Sequence, residues 1–355
     1  RVAPGGTFAA TWVADRLGNW LFQCDEPEHS EARGPLGYPP QTLLAAAGAP
    51  LVRGLGGLIA GIEVKHAEDD TTAGLPPPPL PVPARRLRME LRPNVGSSGT
   101  TPLYGIAIDE VGIELPPPDS GQRAGPTLVL NRAEPVSIMV VNNLPEPTSI
   151  HWYGVDGESL FDGVPGFSGI KPNQAPMIAP ADSFEVRLAP PRSGTFAYRA
   201  QVNVARQMRA GLVGALIVTD KGKYDAIRNL PIVVSSPSDS AAEEQSVLIN
   251  GSFAPAPLEL RRGTAYRLRM VNLTTGRRDV VLELRQDSTF ATWRPIAKDG
   301  FDLPPSERAP REASLSLSIG EAKDVEFSPV RSGDYRLEAR TQMRVLLGTL
   351  PVRVF

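Results

Sequence analysis

Apolar and polar residues alternate with a period of two along several short runs of the chain, and the runs return in a fixed frame. In "ADSFEVRLAPPRSGTFAYRAQ" from Ala181 and "GEAKDVEFSPVRSGDYRLEAR" from Gly320, an alternating stretch leads into a polar or proline-containing turn, a glycine and a second alternating stretch. "GGTFAATWVADRLGNWLFQCD" from Gly5 has the same layout. Thr7 to Gly18, Ser183 to Gly194 and Ala322 to Gly333 are each eleven residues. Alternation of this kind predicts half-buried β-strands, and a frame that occurs three times predicts a repeated unit.

A second echo precedes the last two copies. "PTLVLNRAEPVSIMVVNNL" (126–144) and "APLELRRGTAYRLRMVNLT" (256–274) each read as a short strand, a turn and a strand that reaches a Val-Asn pair. Val136, Ile138 and Val140 in one, and Tyr266, Leu268 and Met270 in the other, should face a core, as sandwich strands do. The prediction is an all-β protein of tandem Greek-key β-sandwiches.

Composition supplies the boundaries. "AEDDTTAGLPPPPLPVPARR" is acidic and then proline-rich, which predicts an extended spacer of polyproline type. The expected organisation is the C-terminal part of a sandwich at 1–66, a linker at 67–87, a second domain at 88–222 and a third at 223–355. The first unit has its closing strands but lacks the opening strands of the other two. Half a sandwich leaves unpaired strand edges, so either a longer product or a partner chain should complete it.

With 37 prolines and 33 glycines in 355 residues the chain suits many short strands and turns, and 41% hydrophobic residues are enough for packed cores. A formal charge of −2 removes any general electrostatic case for nucleic acid or an anionic membrane. Arg85, Arg86, Arg88 and Arg92 interleave with Leu87, Met89 and Leu91, which puts the cations on the solvent face of a strand. No run approaches the ~20 apolar residues of a membrane span; residues 42–64 are interrupted by Pro50, Arg53 and glycines and read as a loop followed by a strand. No signal-peptide pattern is visible, and the lone Cys24 excludes an internal disulfide.

At "TSIHWYGVDGESLFDGVPGFSG" (148–169) the chain resembles the first copper-binding strand of multicopper oxidases, whose motif there is His-Trp-His-Gly. "GTFAYRAQVNVARQMRAGLVGALIV" (194–218) resembles the family's Gly-Thr-Phe-x-Tyr-His-x-His segment and the Gly-Leu-x-Gly strand after it. Residues 18–29 resemble its His-Cys-His segment, in which another His stands five residues after the Cys. The resemblance covers nearly the whole chain and implies cupredoxin sandwiches. It also implies a blue copper held by a Cys and two His, which feeds electrons to a dioxygen-reducing copper cluster between domains.

Taken position by position, that chemistry is missing. His151 keeps the first cluster position, while Tyr153 replaces the second; Arg199 and Gln201 replace a His-x-His pair, and Gln23 and Asp25 replace the histidines flanking Cys24. The family cluster is built from paired histidines, and this chain holds only His29, His66 and His151. Arg199 would put a permanent cation where copper ions sit, and a guanidinium does not shed its charge. Cys24 and His29 keep the blue-copper spacing, and Gly34 stands where an axial Met would fall.

Each sharp reading has a plainer rival. Cys24, His29 and His151 are remnants of copper sites, yet a buried Cys is commonly a small hydrophobe, His151 a hydrogen-bonding core residue, and His66 a solvated one. Asp156, Glu158 and Asp162 suggest a hard-cation site but should be exposed loop residues. Asn250-Gly-Ser and Asn272-Leu-Thr are formal glycosylation acceptors. The expectation is a degenerate, oxidase-like protein that needs no cofactor and serves as a structural or binding subunit of a larger assembly with a protein partner. By resemblance it would be periplasmic or secreted. The rival is an electron-transfer or oxidase protein with one residual blue copper, completed by residues that this chain lacks.

Overall fold

The computed structural model describes residues 16–24, 59–66, 81–94, 102–111, 123–276 and 279–355, with a few isolated positions before Arg16. The strands in chain order begin with β1 (Gly18–Gln23), β2 (Ile59–Val64), β3 (Arg85–Pro93), β4 (Tyr104–Glu110), β5 (Leu128–Asn131), β6 (Val136–Asn142), β7 (Ile150–Tyr153), β8 (Gly169–Ile170) and β9 (Asn173–Gln174). There follow β10 (Ser183–Leu188), β11 (Gly194–Ala200), helix α1 (Val204–Ala210), β12 (Val213–Thr219), β13 (Asn229–Ser235), the short helix α2 (Ser240–Glu243), β14 (Leu248–Ile249), β15 (Leu258–Leu260), β16 (Tyr266–Leu273) and β17 (Val280–Gln286). The last are β18 (Thr289–Phe290), β19 (Thr292–Lys298), β20 (Phe301–Asp302), β21 (Arg311–Glu312), β22 (Ser314–Leu317), β23 (Ala322–Phe327), β24 (Gly333–Arg340) and β25 (Leu346–Val354).

Among the described residues, most of the strands from β3 onward make two β-sandwiches of one design. The first pairs the sheet β10-β6-β3-β4 with β5-β12-β11-β7; the second pairs β14-β13-β16-β23-β19-β20 with β15-β25-β24-β17-β18. The repeated frame of the sequence becomes β10 then β11, and β23 then β24, and β1 opens at the matching Gly18. The inward-facing positions are as the alternation predicts: Val136, Ile138 and Val140, and Tyr266, Leu268 and Met270, are all 2% exposed or less.

The Val-Asn echo has a structural cause. Asn142 and Asn272 are fully buried, and each folds its side-chain oxygen onto the backbone N–H two residues on, Leu144 in one domain and Thr274 in the other, at 3.0 Å. Each amide donates across to the facing turn, to the Ile178 and Leu317 carbonyls respectively. A burial of this kind is tolerated because both ends of the side chain are bonded. It also removes Asn272 as a glycosylation acceptor, and Asn250 is similarly tied, donating to the Pro231 carbonyl and accepting from Val233 N–H.

Three details depart from the sequence reading. β3 opens at Arg85, opposite Val136, so the first strand of this sandwich starts inside the stretch assigned to the linker. Helix α1 stands between β11 and β12, where the alternation predicts no helix; its Gln207 is buried and bonds Thr148 Oγ1 and the Pro147 carbonyl, tying the helix to the chain ahead of β7. The third concerns the first unit, whose β1 and β2 pair along their length from Gly18↔Val64 to Gln23↔Ile59. β1 continues onto the next domain through Asn19↔Gly169, forming the sheet β2-β1-β8-β9. One edge expected to await a partner is therefore covered from within the chain. The contact is close: a Cβ on Gly18 would lie 2.4 Å from Ser159 Cβ.

β11 and β12 are buried at every position. One face packs in its own sandwich core, with Phe196, Tyr198 and Leu216; the other meets the third domain, where Ala197, Val213 and Ala215 contact Val233, Val271 and Ala322. Burial on both faces explains why "GLVGALIV" is continuously apolar instead of alternating. Polar groups seal the same interface. Thr195 Oγ1 donates to Asp324 at 2.9 Å, and Arg269 Nη1 bonds both at 2.8 and 3.0 Å. Nearby, Arg192 reaches from the β10–β11 turn to Asp156 and to the carbonyls of Gly154 and Asp299, with its guanidinium over the rings of Phe196 and Phe301.

Candidate functional site

β7 and β11 run antiparallel with His151 opposite Arg199 and Tyr153 opposite Ala197. Alternate residues of a strand share a face, so His151, Tyr153 and Arg199 project to one side of the pair. Gln201 continues the alternation one residue past β11, held in register by its N–H on the Ser149 carbonyl at 3.0 Å. The other face carries Trp152 and Tyr198, 1% and 0% exposed, which pack in the core with ring centroids 6.2 Å apart.

On the functional face the side chains engage one another. Arg199 is 6% exposed, and its guanidinium stands 5.6 Å from the Tyr153 ring centre and donates to the Ala200 carbonyl. His151 and Tyr153 meet edge to face at 5.8 Å. Gln201 Nε2 donates to Gln23 Oε1 at 3.3 Å, which joins the end of β1 to the end of β11. Gln201 Oε1 is buried and has no hydrogen-bond partner among the described residues. Cys24 follows β1, half-buried, and lines with Gln23 and Tyr153 a cleft of about 620 Å³ that runs to Asp279, Asp299 and Glu321 of the third domain. Burial raises the Asp299 carboxyl above the usual range, offset in part by the Ala322 N–H that it accepts. Asp25 and His29 lie outside the described residues.

The loop after β7 sets the orientation of His151. Its Nδ1 lies 2.6 Å from the Asp162 carbonyl and 3.5 Å from the Asp162 carboxylate, so Nδ1 carries the proton in the neutral ring and donates it to that carbonyl. Asp162 is 15% exposed and accepts from Ser168 Oγ, which corrects the expectation that the loop acids are solvated. Of the other two, Asp156 is paired with Arg192 and Glu158 is exposed. Sequence reasoning missed the part that Asp162 plays, because a polar loop gives no period; its one signal was proximity to the His-Trp pair.

Ser149 Oγ donates to the Gly163 carbonyl and pins the loop to β7. Gly163 itself has φ +90°, and a Cβ there would fall 1.9 Å from the Ile150 carbonyl oxygen. The Gly163→Ala variant should lose about 3 kcal/mol of stability, through backbone strain and displacement of the loop from β7. A lowered urea midpoint at unchanged slope would show it; an unaltered midpoint would mean that the loop is not held as described.

The comparisons with known proteins agree with this layout. The family model described as multicopper oxidase matches residues 120–223. A multicopper oxidase, mco, of Staphylococcus aureus is 28% identical over 238 residues, 61% of this chain and 50% of that protein. Laccase-1 of Emericella nidulans is 32% identical over 124 residues, 34% of this chain and 19% of its own. The chain thus spans about half the length, or less, of the curated relatives it matches. Among solved structures, one multicopper oxidase superposes with a TM-score of 0.59 at 19% identity, over 76% of this chain and 88% of the other. The blue copper oxidase from Nitrosomonas europaea does so with 0.58 at 19%, over 75% and 85%. At that identity the superpositions speak for the fold alone. The sandwiches and the likeness in sequence together make this chain multicopper oxidase-like, with residues 120–223 the stretch that the family model matches.

Proposed function

We propose that this chain has given up dioxygen reduction and acts as a structural or binding subunit of a larger extracytoplasmic assembly. The observation that carries the reading is the face of β7 and β11, where a buried guanidinium and a phenol stand in line with the one imidazole. The copper cluster implied by the family does not fit these residues. Copper prefers imidazole and thiolate; an amide is a weak donor, a guanidinium is none, and its fixed positive charge opposes a divalent cation in a site with little water to screen it. Among the described residues no three His, Cys, Asp or Glu side chains converge as a ligand set would. Compartment and assembly are carried over from the family. No helix among the described residues is long and apolar enough to cross a membrane.

What remains is a rigid two-sandwich body with a cleft at the old junction, and rigid folds are readily reused for binding once their chemistry is gone. The electron-relay alternative keeps Cys24 and His29 as ligands of a blue copper, but their electron would meet Gln23 and Gln201 in place of imidazoles. Elemental analysis of the purified full chain after copper loading and desalting tests the choice. The expected result is no retained copper, no intense visible thiolate band, and oxygen uptake with phenolic or metal-ion reductants equal to that of Cys24→Ser. One copper per chain with a blue colour that Cys24→Ser abolishes would overturn the proposal.

A further inference from the structure

The turn between β24 and β25, with the first residue of β25, presents three apolar side chains to solvent: Met343 is 80% exposed, Val345 56% and Leu346 47%. Apolar groups in a loose loop can fold back, but this turn is closed. Thr341 N–H donates to the Val345 carbonyl, Arg344 N–H to the Thr341 carbonyl, and Val345 N–H to Thr341 Oγ1. Arg340 Nη1 holds the Arg344 carbonyl at 2.6 Å. The apolar tip is therefore preorganised in its exposed form.

Beside it lies a fixed array of cations. On the outer face of β17 and β24, Glu283 stands opposite Glu338, and Arg285 opposite Arg336. Like charges side by side persist because the two pairs interlock: Arg285 reaches Glu283 and Glu338, Arg340 reaches both as well, Arg336 bonds Glu338, and Arg344 bonds Glu283. The carboxylates form the lower layer, with side-chain exposures of 0% and 7%, while Arg336 and Arg344 stay open at 46% and 59%. The arginines around it hold the Glu338 carboxyl below its usual range. The surface is thus guanidinium outside and carboxylate inside, with four arginines to two glutamates, on a chain whose formal charge is −2.

We propose that this face docks on an anionic lipid surface, with Met343, Val345 and Leu346 entering the headgroup boundary and the two open arginines, Arg336 and Arg344, lying at the level of the phosphates. An apolar wedge flanked by cations is what such an interface binds, and guanidinium suits phosphate because its planar fork bonds two oxygens. The array is fixed in advance, so little side-chain freedom is lost on docking. Gln342, next to Met343, also bonds Asp279 at the rim of the interdomain cleft, so docking would bring that cleft close to the membrane plane.

Sedimentation of the full chain with vesicles of phosphatidylglycerol and phosphatidylcholine in equal parts tests it. The chain should bind these, should bind pure phosphatidylcholine at least about tenfold more weakly, and should be released by roughly 0.5 M salt. Met343→Glu/Val345→Glu should weaken binding by about tenfold while leaving the melting temperature unchanged, since both sites face water. Arg336→Gln, which cuts one cation without touching the turn, should weaken it by less. Absence of binding to the anionic vesicles, binding that the double variant leaves intact, or binding to polyglutamate by a chain that ignores vesicles would each overturn the proposal, the last in favour of an acidic protein partner.

Discussion

Asp324→Ala is expected to be among the most destabilising single substitutions in the chain, at roughly 3–5 kcal/mol. The carboxylate is 2% exposed and takes Arg269, Arg267 and Thr195, the last from the other sandwich. Burial pulls Arg269 down to about 10, against the pull of Asp324 in the other direction, so it is still charged at neutral pH. Without Asp324 that cation remains at 5% exposure with only Thr195 and Asn229 as polar partners from this group. Its desolvation is then uncompensated, and the domain contact is where the loss falls. Denaturant unfolding should change from one transition to two, as the sandwiches come apart before they melt. Thr195→Val should cost less, about 1–2 kcal/mol, and the double variant should cost less than the sum, because both remove the same bond. A single transition with an unchanged midpoint in Asp324→Ala would show that apolar contacts alone hold the domains.

This interface also shows where the sequence stops being informative. The strands were legible because their period is local: an apolar residue every second position, a turn and a glycine can be read without knowing what lies opposite. Tandem sandwiches and the frame at Gly18, Gly194 and Gly333 follow from that alone. Thr195 and Asp324 are 129 residues apart, and no pattern in either strand announces the other. The same holds for Asp162, which sits in a loop whose polarity predicts water and whose geometry delivers it to His151. The seven residues of α1 are too few to display a helical period. The expectation that Tyr153, Arg199 and Gln201 replace ligands has a different source, since a family pattern names which residue should stand where. That pattern gives no sign that the Arg199 guanidinium would lie over the Tyr153 ring.

The contact between Arg199 and Tyr153 leads to the second large expectation. If these two residues and Gln201 keep copper out, Tyr153→His/Arg199→His/Gln201→His should retain about one copper ion per chain more than the unaltered chain does after desalting. The scaffold for it is present. His151 and position 153 share a face of β7, positions 199 and 201 share a face of β11, and the strands place 151 opposite 199. Removing the guanidinium also removes the repulsion that a divalent ion would meet in a site of low dielectric. His151 is held by the Asp162 carbonyl, and a ligating imidazole needs such a partner to fix which nitrogen faces the metal. Adding His151→Ala to the triple variant should therefore lower its copper affinity by at least about tenfold, a loss that a merely sticky surface would not show. Neither variant should reduce dioxygen, since Gln23 and Asp25 still flank Cys24. Equal copper retention by the unaltered chain and the triple variant would mean that Arg199 does not guard the site.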